Sequence, residues 1–346
     1  MARKVGILTG GGDAPGLNAV IRAVVKYGVG QKGWNLLGIE DSFNGLFCDP
    51  FRVMELSPVL CKGLLPRGGT ILGTTNRGNP FSWPKTGEDR SGELATAIRR
   101  LGLEGLVVLG GDGTQAIAWR LMQERGIPVV GVPKTIDNDL GATDLCFGFQ
   151  SAVDCVTDAL DRLHSTAEAH DRVLLLEVMG RDAGWIALHG GLAGGADVVV
   201  IPEIPWTPAG LCQKILERQA VGRPFSLIVV AEGARPVGEA IVPGKAAERV
   251  AEAVRSRIPE IDRRITVLGH LQRGGSPVAF DRVLATRFGV AAVDLVEQAR
   301  WGAMVRLRNG TVEGVPLADA VAVYRTVDPD GDLVRAARAV GISFGD

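Results

Sequence analysis

The sequence contains few cysteines and no long apolar run, and both absences exclude classes of protein. Its 346 residues include five cysteines, an odd number, without a CxxC pair or a zinc-binding spacing. We therefore expect reduced structural thiols rather than a disulfide framework or a zinc site. No segment is apolar for long enough to span a bilayer. Residues 1–13 have only a short apolar stretch before a glycine run, which is typical of a first strand and not of a signal peptide. We expect a cytoplasmic protein without a membrane partner.

The sequence also lacks an excess of charge of either sign. It has 38 Lys and Arg against 39 Asp and Glu, a formal net charge of -1. Without an overall basic field we expect no nucleic-acid partner, and any anionic ligand has to be bound by local groups. With 46% hydrophobic and 22% charged residues, the chain has an ordinary globular composition and is long enough for one large core or two smaller ones.

Two periods of hydrophobicity alternate along the chain. Strand-like residues 4–9 are followed by glycines and by apolar residues at helical spacing behind Pro15, and the same order returns at 103–135 and 172–203. Further strands are predicted in 225–233 and 264–270, and helices in 245–258 and 279–299. Near-continuous Val, Ile and Leu strands that alternate with helices favour parallel sheets covered on both faces. We predict an α/β fold with two doubly wound, Rossmann-like parallel-sheet domains.

Two glycine-rich turns follow predicted strands. TGGGDAPG (9–16) opens a helix, so its backbone N–H groups can meet a phosphate. It is not a GxGxxG motif, and the chain has no Walker A motif, so a tight turn that binds nothing stays open as an alternative. GGDGT (110–114) repeats the arrangement and adds Asp112, a hard oxygen ligand of the kind that Mg²⁺ prefers. Together the two turns favour phosphoryl transfer over a dehydrogenase.

Two acids lie close together in PKTIDNDL (133–140), after a predicted strand. Asp137 and Asp139 are two residues apart, and in an extended turn their side chains project the same way. One of them can then accept a hydroxyl proton while the other helps to bind Mg²⁺. A simple Asx turn is the open alternative.

Several cations lie at predicted strand ends or in the turns just after them, where ligands bind in doubly wound sheets. Arginine forks suit a phosphate ester, and neighbouring glycines allow its close approach. Glu232, which follows another strand, can accept hydrogen bonds from hydroxyls. The pattern favours a sugar phosphate as acceptor. The cations are Arg172, Arg181, Arg264, His270 and Arg273.

Five segments occur in the order and spacing of one known family, and they cover the chain from residue 4 to about residue 300. They are LTGGGDAPGLNAVIR, GGDGT, PKTIDNDL, EVMGRDAGWIALHGGLAGGAD and VLGHLQRGGSP. The sequence resembles the 6-phosphofructokinases, in particular the bacterial ATP-dependent type that lies close to the pyrophosphate-dependent branch. This resemblance implies phosphorylation of fructose 6-phosphate at its 1-hydroxyl in glycolysis, with Mg²⁺, in a homotetramer whose sites are shared between subunits.

The resemblance also implies roles for individual residues. Asp137 is expected to deprotonate the sugar hydroxyl with Thr135 and Asp139 beside it, and Arg181 to stabilise the moving phosphoryl group. Asp112 and Asp139 are the expected Mg²⁺ ligands. Donor phosphates are expected at Gly11, Arg77, Gly111, Asp112, Gly113, Thr114 and Lys134. The sugar phosphate is expected at Met179, Gly180, Arg181, Glu232, His270 and Arg273, with Arg172 and Arg264 supplied by a neighbouring subunit.

The resemblance further implies two domains built from non-contiguous segments. Residues 1–147 and about 271–322 are expected to form the larger domain, which binds the phosphoryl donor. Residues about 148–270 and 323–346 are expected to form the smaller, sugar-phosphate domain.

Two positions bear on the phosphoryl donor. ATP-dependent relatives commonly have glycine at the positions of residues 113 and 134. Pyrophosphate-dependent relatives combine an acid at the position of residue 113 with lysine at that of residue 134. This chain combines Gly113 with Lys134. An acid at 113 would repel the α-phosphate of a nucleotide, whereas a lysine attracts either donor. We therefore predict ATP, with ADP as product, and keep pyrophosphate as the alternative donor.

Two other classes of protein stay open at the level of sequence. GGDGT alone also resembles lipid and NAD kinases, which do not need MGRDAG or LGHLQRGGSP. A regulatory paralogue with the fold but no turnover is the second alternative. The presence of Asp137, Asp139 and Arg181 favours a working enzyme over it.

Overall fold

The computed structural model describes residues 2–240 and 244–346 of the chain. Met1 and residues 241–243, which belong to the expected domains, lie outside the described residues. The chain forms two compact units, described here one at a time. The first unit comprises Met1–Thr135, Leu140–Gln150 and Arg273–Tyr324, and the second comprises Ile136–Asp139, Ser151–Gln272 and Arg325–Asp346.

Strands and helices alternate along most of the chain, as their hydrophobic periods predict. The strands are β1 (Lys4–Thr9), β2 (Asn35–Ile39), β3 (Val53–Glu55), β4 (Gly105–Gly110), β5 (Val129–Thr135), β6 (Phe147–Gly148), β7 (Val173–Val178), β8 (Val198–Val200), β9 (Ser226–Ala231), β10 (Arg263–Val267), β11 (Ala303–Arg308) and β12 (Thr311–Pro316). The α-helices are α1 (Leu17–Val24), α2 (Ser91–Arg100), α3 (Asp112–Arg125), α4 (Phe149–His170), α5 (Trp185–Ala193), α6 (Pro208–Ala220), α7 (Ala246–Arg257), α8 (Ala279–Glu297), α9 (Leu317–Ala322) and α10 (Asp332–Ala339).

The first unit is built on an eight-stranded sheet in the order β12-β11-β5-β4-β1-β2-β3, with β6 paired to β5. Successive side chains of a strand point to opposite faces, so Ile7 enters one core and Leu8 the other. The first core includes Val20 of α1 and Phe288 of α8. The second includes residues of α2, α3 and α9. Helices therefore cover both faces, and the predicted doubly wound architecture is confirmed.

Both edges of this sheet are antiparallel, which the strand pattern did not indicate. β3 runs antiparallel to β2, and β12 runs antiparallel to β11. The strands between them, β1, β2, β4, β5 and β11, are joined by parallel pairs. The carboxyl ends of β1, β4 and β5 therefore meet at one edge of the sheet.

The second unit is built on a four-stranded parallel sheet in the order β10-β7-β9-β8. α5 lies against β8 and β9, and α7 lies against β7 and β10. The C-terminal residues extend this sheet, because the Val199 N–H donates to the Ser343 carbonyl oxygen at 2.9 Å. None of the helices within residues 2–240 and 244–346 has the length and apolar character of a bilayer span.

Candidate active site

The glycine turn after β1 is fixed by a neighbouring loop of the first unit. Gly11 has φ +78, in the left-handed region that favours glycine. Its N–H donates to the Thr75 carbonyl oxygen at 3.0 Å. The Thr74 hydroxyl donates to the Gly11 carbonyl oxygen at 2.7 Å. Arg77 lies in the same loop and is exposed, and its N–H donates to Thr75 Oγ1 at 3.0 Å.

Two cations of the first unit converge on this turn. The Lys134 ammonium donates to the Gly12 carbonyl oxygen, and the side chain is only 3% exposed. Arg273 Nη1 donates to the Asp13 carbonyl oxygen at 3.1 Å. A Cβ atom at position 12 would lie 2.7 Å from that nitrogen, so glycine is what lets the guanidinium lie against the turn. The turn is thus a local concentration of positive charge.

The N-terminus of α3 lies beside β1 at the carboxyl end of β4. Its N-cap residue Gly111 has no side chain, and the N-terminus of a helix carries a partial positive charge that suits an anion. Asp112 and Gly113 are exposed, whereas Thr114 is buried. The seven predicted donor residues therefore all lie at the carboxyl ends of β1, β4 and β5, or in the loop bonded to them.

Gln115 supports this region and was not among the predicted site residues. Its side chain is fully buried, and Nε2 lies within hydrogen-bonding distance of the carbonyl oxygens of Val108, Gly110 and Val132, at 3.2, 3.1 and 3.0 Å. These oxygens belong to β4 and β5. Gln115 thus ties the first turn of α3 to both strands. Only its position one residue after GGDGT could have indicated this role.

The acidic segment begins where β5 ends at Thr135, which is buried. Residues 136–139 belong to the second unit. The expectation of an extended turn is wrong, because Asn138 between the two acids has φ +54, in the left-handed region. Asp137 and Asp139 are nevertheless both buried, with residue exposures of 3% and 1%.

Arg181 lies on a constrained turn after β7 and faces Asp137. Arg181 itself has φ +52, and Gly180 has φ +140. Glu232 Oε1 accepts the N–H groups of Gly180 and Arg181 at 3.2 and 2.9 Å. Arg181 Nε lies 3.7 Å from Asp137 Oδ2, while half of the arginine side chain stays exposed. The structure therefore brings together the predicted base, the predicted phosphoryl-stabilising cation and Glu232 within one unit.

Gln272 links two further predicted residues and was not itself predicted. It is 1% exposed; Oε1 accepts the Met179 N–H at 3.4 Å and Nε2 donates to the Gly269 carbonyl oxygen at 3.1 Å. Gly269 precedes the exposed His270 in the turn after β10. Gln272 thereby joins the turns that follow β7 and β10.

The prediction that five cations share one end of the strands is wrong for two of them. Arg172 precedes β7, and Arg264 is paired with Leu174 near the start of that strand. Both therefore lie at the amino end of the sheet, opposite Arg181. Arg172 Nε donates to Asp262 Oδ2 at 2.6 Å, and Arg264 also donates to Asp262. The hydrogen bond from Arg172 is the main cause that lowers the pKa of Asp262 below its ordinary value.

The predicted Mg²⁺ ligands fit a weakly coordinated ion rather than a protein cage. Among the described residues no group of three or more His, Cys, Asp or Glu side chains is arranged to bind a metal. Asp112 is an exposed carboxylate at the start of α3, in the glycine-rich turn that follows β4. Mg²⁺ commonly binds through one or two carboxylates, with phosphates and water as its remaining ligands. The donor set is therefore compatible with Mg²⁺ that arrives with a phosphorylated substrate.

Comparisons with known proteins agree with this arrangement. A family model described as Phosphofructokinase matches residues 4–296. The chain is 51% identical over 360 residues to the ATP-dependent 6-phosphofructokinase of Chloroflexus aggregans, across 99% of this chain and 98% of the relative. It is 46% identical over 356 residues to a pyrophosphate–fructose 6-phosphate 1-phosphotransferase of Streptomyces coelicolor, across 99% of this chain and 100% of the relative.

Comparison with a solved structure shows that the fold is also that of a phosphofructokinase. The phosphofructokinase of Pichia pastoris in the T-state is similar with a TM-score of 0.84 and 32% sequence identity, across 93% of this chain. This chain spans 38% of that fungal chain. The resemblance predicted from the five sequence segments is confirmed, and the chain belongs to the phosphofructokinase family.

Proposed function

We propose that the protein transfers the γ-phosphoryl group of ATP to the 1-hydroxyl of fructose 6-phosphate, giving fructose 1,6-bisphosphate and ADP. Sequence identities of 46% and 51%, each over 99% of this chain, to relatives named ATP-dependent 6-phosphofructokinase support this reaction. The structural observation that carries it is the buried Asp137 carboxylate with the Arg181 guanidinium 3.7 Å away. A base and a cation in contact are what transfer of a phosphoryl group to a hydroxyl requires.

Asp137 and Arg181 have complementary roles in the proposed step. The 1-hydroxyl oxygen forms a bond to the γ-phosphorus, the bond from that phosphorus to the β-bridging oxygen breaks, and ADP leaves. Asp137 accepts the hydroxyl proton as the oxygen attacks, with Thr135 and Asp139 beside it. The Arg181 guanidinium stabilises the charge on the oxygens of the migrating group, where a cation that is already in place is most effective.

Donor binding is proposed for the first unit. The backbone of Gly11, Gly111 and Gly113, with the Thr114 hydroxyl, meets the donor phosphates at the turns after β1 and β4. Lys134 and Arg77 add positive charge. Mg²⁺, when bound, would neutralise charge on the phosphates, and its proposed ligands are Asp112 and Asp139.

Sugar-phosphate binding is proposed for Met179, Gly180, Arg181, Glu232, His270 and Arg273. Arg172 and Arg264 lie together on Asp262 at the amino end of the second sheet. We propose that they serve the site of a neighbouring copy in a homotetramer. Glycolysis in the cytoplasm is the proposed setting.

Pyrophosphate is the second candidate donor, and one residue favours it. Lys134 is the residue type found with pyrophosphate, and the Streptomyces coelicolor relative is named for that donor. A coupled aldolase assay with fructose 6-phosphate and Mg²⁺, run in parallel with ATP and with pyrophosphate, tests both candidates. We expect turnover with ATP and at least tenfold less with pyrophosphate. Absence of fructose 1,6-bisphosphate with both donors would refute the proposed function.

The role of Asp137 has its own test. Asp137→Asn keeps the shape of the side chain but cannot accept the proton, so kcat should fall by at least ~10²-fold. The KM for fructose 6-phosphate should change little. Circular dichroism melting of the variant checks that the fold is intact. A kcat close to that of the unmodified enzyme would rule out Asp137 as the base.

A further inference from the structure

The carboxylate of Glu203, which follows β8, binds two backbone segments that lie far apart in the sequence. Its Oε1 accepts the Gly184 N–H at 2.9 Å and the Val327 N–H at 2.8 Å, and its Oε2 lies 3.1 Å from the Gly184 nitrogen. Burial raises the pKa of this carboxyl above its ordinary value, although the hydrogen bonds from Gly184 and Val327 act against the shift. A desolvated carboxylate with these charge-assisted hydrogen bonds holds the two backbone segments in place within the second unit.

On one side, Glu203 supports the turn that presents Arg181. That turn runs from Gly180 to Gly184 and is closed by the Ala183 N–H, which donates to the Gly180 carbonyl oxygen at 3.0 Å. Glu232 accepts the N–H groups of residues 180 and 181 at the start of the turn. Glu203 accepts the N–H of Gly184 at its end, where a Cβ atom would lie 2.7 Å from Glu203 Oε2. The turn is therefore fixed between two carboxylates.

On the other side, Glu203 binds the C-terminal segment 325–327, which itself contacts the acidic loop. The Arg325 N–H donates to the Asp139 carbonyl oxygen at 2.7 Å. The Trp185 indole N–H donates to the Arg325 carbonyl oxygen at 3.3 Å, and the guanidinium lies 4.5 Å from the centroid of the indole ring. The segment thus connects the loop of Asp137 and Asp139 to the start of α5.

We propose that Glu203 is a positioning residue, which couples segment 325–327 to the 180–184 turn and so keeps the Arg181 guanidinium aligned with the Asp137 carboxylate. This inference rests on the proposed function for its catalytic part. Glu203 itself touches neither reacting group. Its effect appears in the chemical step, because a misplacement of about 1 Å at a reacting centre costs on the order of 10²-fold in rate.

Kinetics of three variants test the catalytic part. Glu203→Ala removes both hydrogen bonds, and kcat should fall by about 10- to 100-fold while the KM for fructose 6-phosphate changes less than about threefold. Glu203→Gln keeps an amide oxygen that can accept both N–H groups, so its kcat should stay within about threefold of the unmodified enzyme.

Asp197→Ala is the matched control. Asp197 is another half-buried carboxyl of the second unit; it accepts the Leu227 N–H at 2.9 Å and pairs with Arg218 at 2.6 Å. Its loss should lower the melting temperature without changing kcat. If Glu203→Ala lowers kcat no more than this control does, the positioning role is refuted.

A double-mutant cycle asks whether Glu203 acts through Arg181. In an Arg181→Ala background, adding Glu203→Ala should lower kcat by less than about twofold, because the group it positions is gone. A full multiplicative loss would instead show that Glu203 acts on some other part of the protein, and would overturn the inference.

Hydrogen exchange separates this inference from the proposed function. Peptides that contain residues 180–185 and 325–328 should both exchange faster in Glu203→Ala than in Asp197→Ala. Unchanged exchange in either peptide refutes the coupling, whatever the activity. Faster exchange in both peptides with an unchanged kcat would refute the positioning of Arg181 but leave the coupling of the two segments standing. An unmodified enzyme that is inactive with both donors refutes the proposed function and the catalytic part with it, while the exchange result still decides the coupling.

Discussion

At position 113 the chain has a glycine whose missing side chain would meet no other atom within 4 Å. The position is exposed and is the second residue of α3, where an acidic side chain is compatible with the helix dipole. A substitution here therefore changes the charge at the turn proposed to bind the donor phosphates, without disturbing the packing. This makes the site suitable for a test of donor choice.

Gly113→Asp should lower kcat/KM for ATP by on the order of 10- to 100-fold, since each ~1.4 kcal/mol of repulsion costs a factor of ten. The loss with pyrophosphate should be smaller, because that donor has no α-phosphate or nucleoside to pass the new carboxylate. Gly113→Asn is the control of equal size without the charge. Equal losses in the two variants would show that bulk and not charge excludes the nucleotide.

His189 gives a prediction for stability against pH. Burial, and secondarily the charge of Arg325, lowers the pKa of its imidazole below the ordinary value of 6.5. As pH falls through that value the unfolded state binds more protons than the folded state, so the free energy of unfolding decreases on acidification. Urea unfolding of wild type and His189→Gln at pH 7.5 and 5.5 should show a larger loss in the wild type. Raised carboxyl pKa values, as at Asp197, are common to both proteins and cancel in the difference. Equal losses would contradict the assignment.

Among the secondary-structure elements, the junction of α3 with β4 and β5 depends on one buried amide. Gln115 Nε2 lies between the carbonyl oxygens of both strands, and a Cβ atom at position 131 would lie 2.4 Å from its Oε1. Gln115→Met keeps the length of the side chain but removes these bonds. We expect the free energy of unfolding to fall by about 1–3 kcal/mol. The exposed Gln213 on α6 is the control, and its change to methionine should alter stability by less than about 0.5 kcal/mol. Similar values for the two variants would contradict the role of Gln115.

Elements with a long, regular hydrophobic pattern could be predicted from the sequence. β1, β4 and β7 are nearly continuous apolar runs buried on both faces, so their positions and parallel pairing were expected. β3 has three residues and β12 alternates in burial at the edge of its sheet, and neither differs enough from loop sequence to be recognised. Pattern therefore indicates the sheet interior but not its antiparallel edges.

The sequence could single out candidate site residues where chemistry is concentrated in a few neighbouring positions, and the structure shows that two of these candidates, Asp137 and Asp139, are buried. Contacts between distant segments leave no such signal. Glu203 binds Val327 across 124 positions, and Gln272 binds Met179 across 93. The position of Arg172 was also misjudged, because a residue at the start of a strand and one at its end look alike in a sequence.

At the scale of the whole molecule, the exposed edge of the second sheet bears on self-association. β10 is an edge strand that pairs only with β7 within the described sheet. Ile265, Val267 and Leu271 are exposed by 40%, 59% and 69%. An exposed apolar edge is a place where another chain can pack. Arg264 lies on the same strand, so a copy bound here would also approach the cations proposed to act in a neighbour's site.

A charge at this edge should therefore weaken self-association and substrate binding together. In Val267→Lys we expect a smaller particle by light scattering after gel filtration, and a KM for fructose 6-phosphate at least about tenfold higher, since a lost charge-assisted bond to phosphate costs about 1.5–3 kcal/mol. Val340→Lys is the control, because Val340 is 71% exposed in the same unit but lies after α10; its particle size and KM should not change. A Val267→Lys protein of unchanged size with unchanged KM would exclude this edge as the interface. A smaller protein with unchanged KM would exclude Arg172 and Arg264 from the neighbour's site, because they would then be dispensable for binding the sugar phosphate.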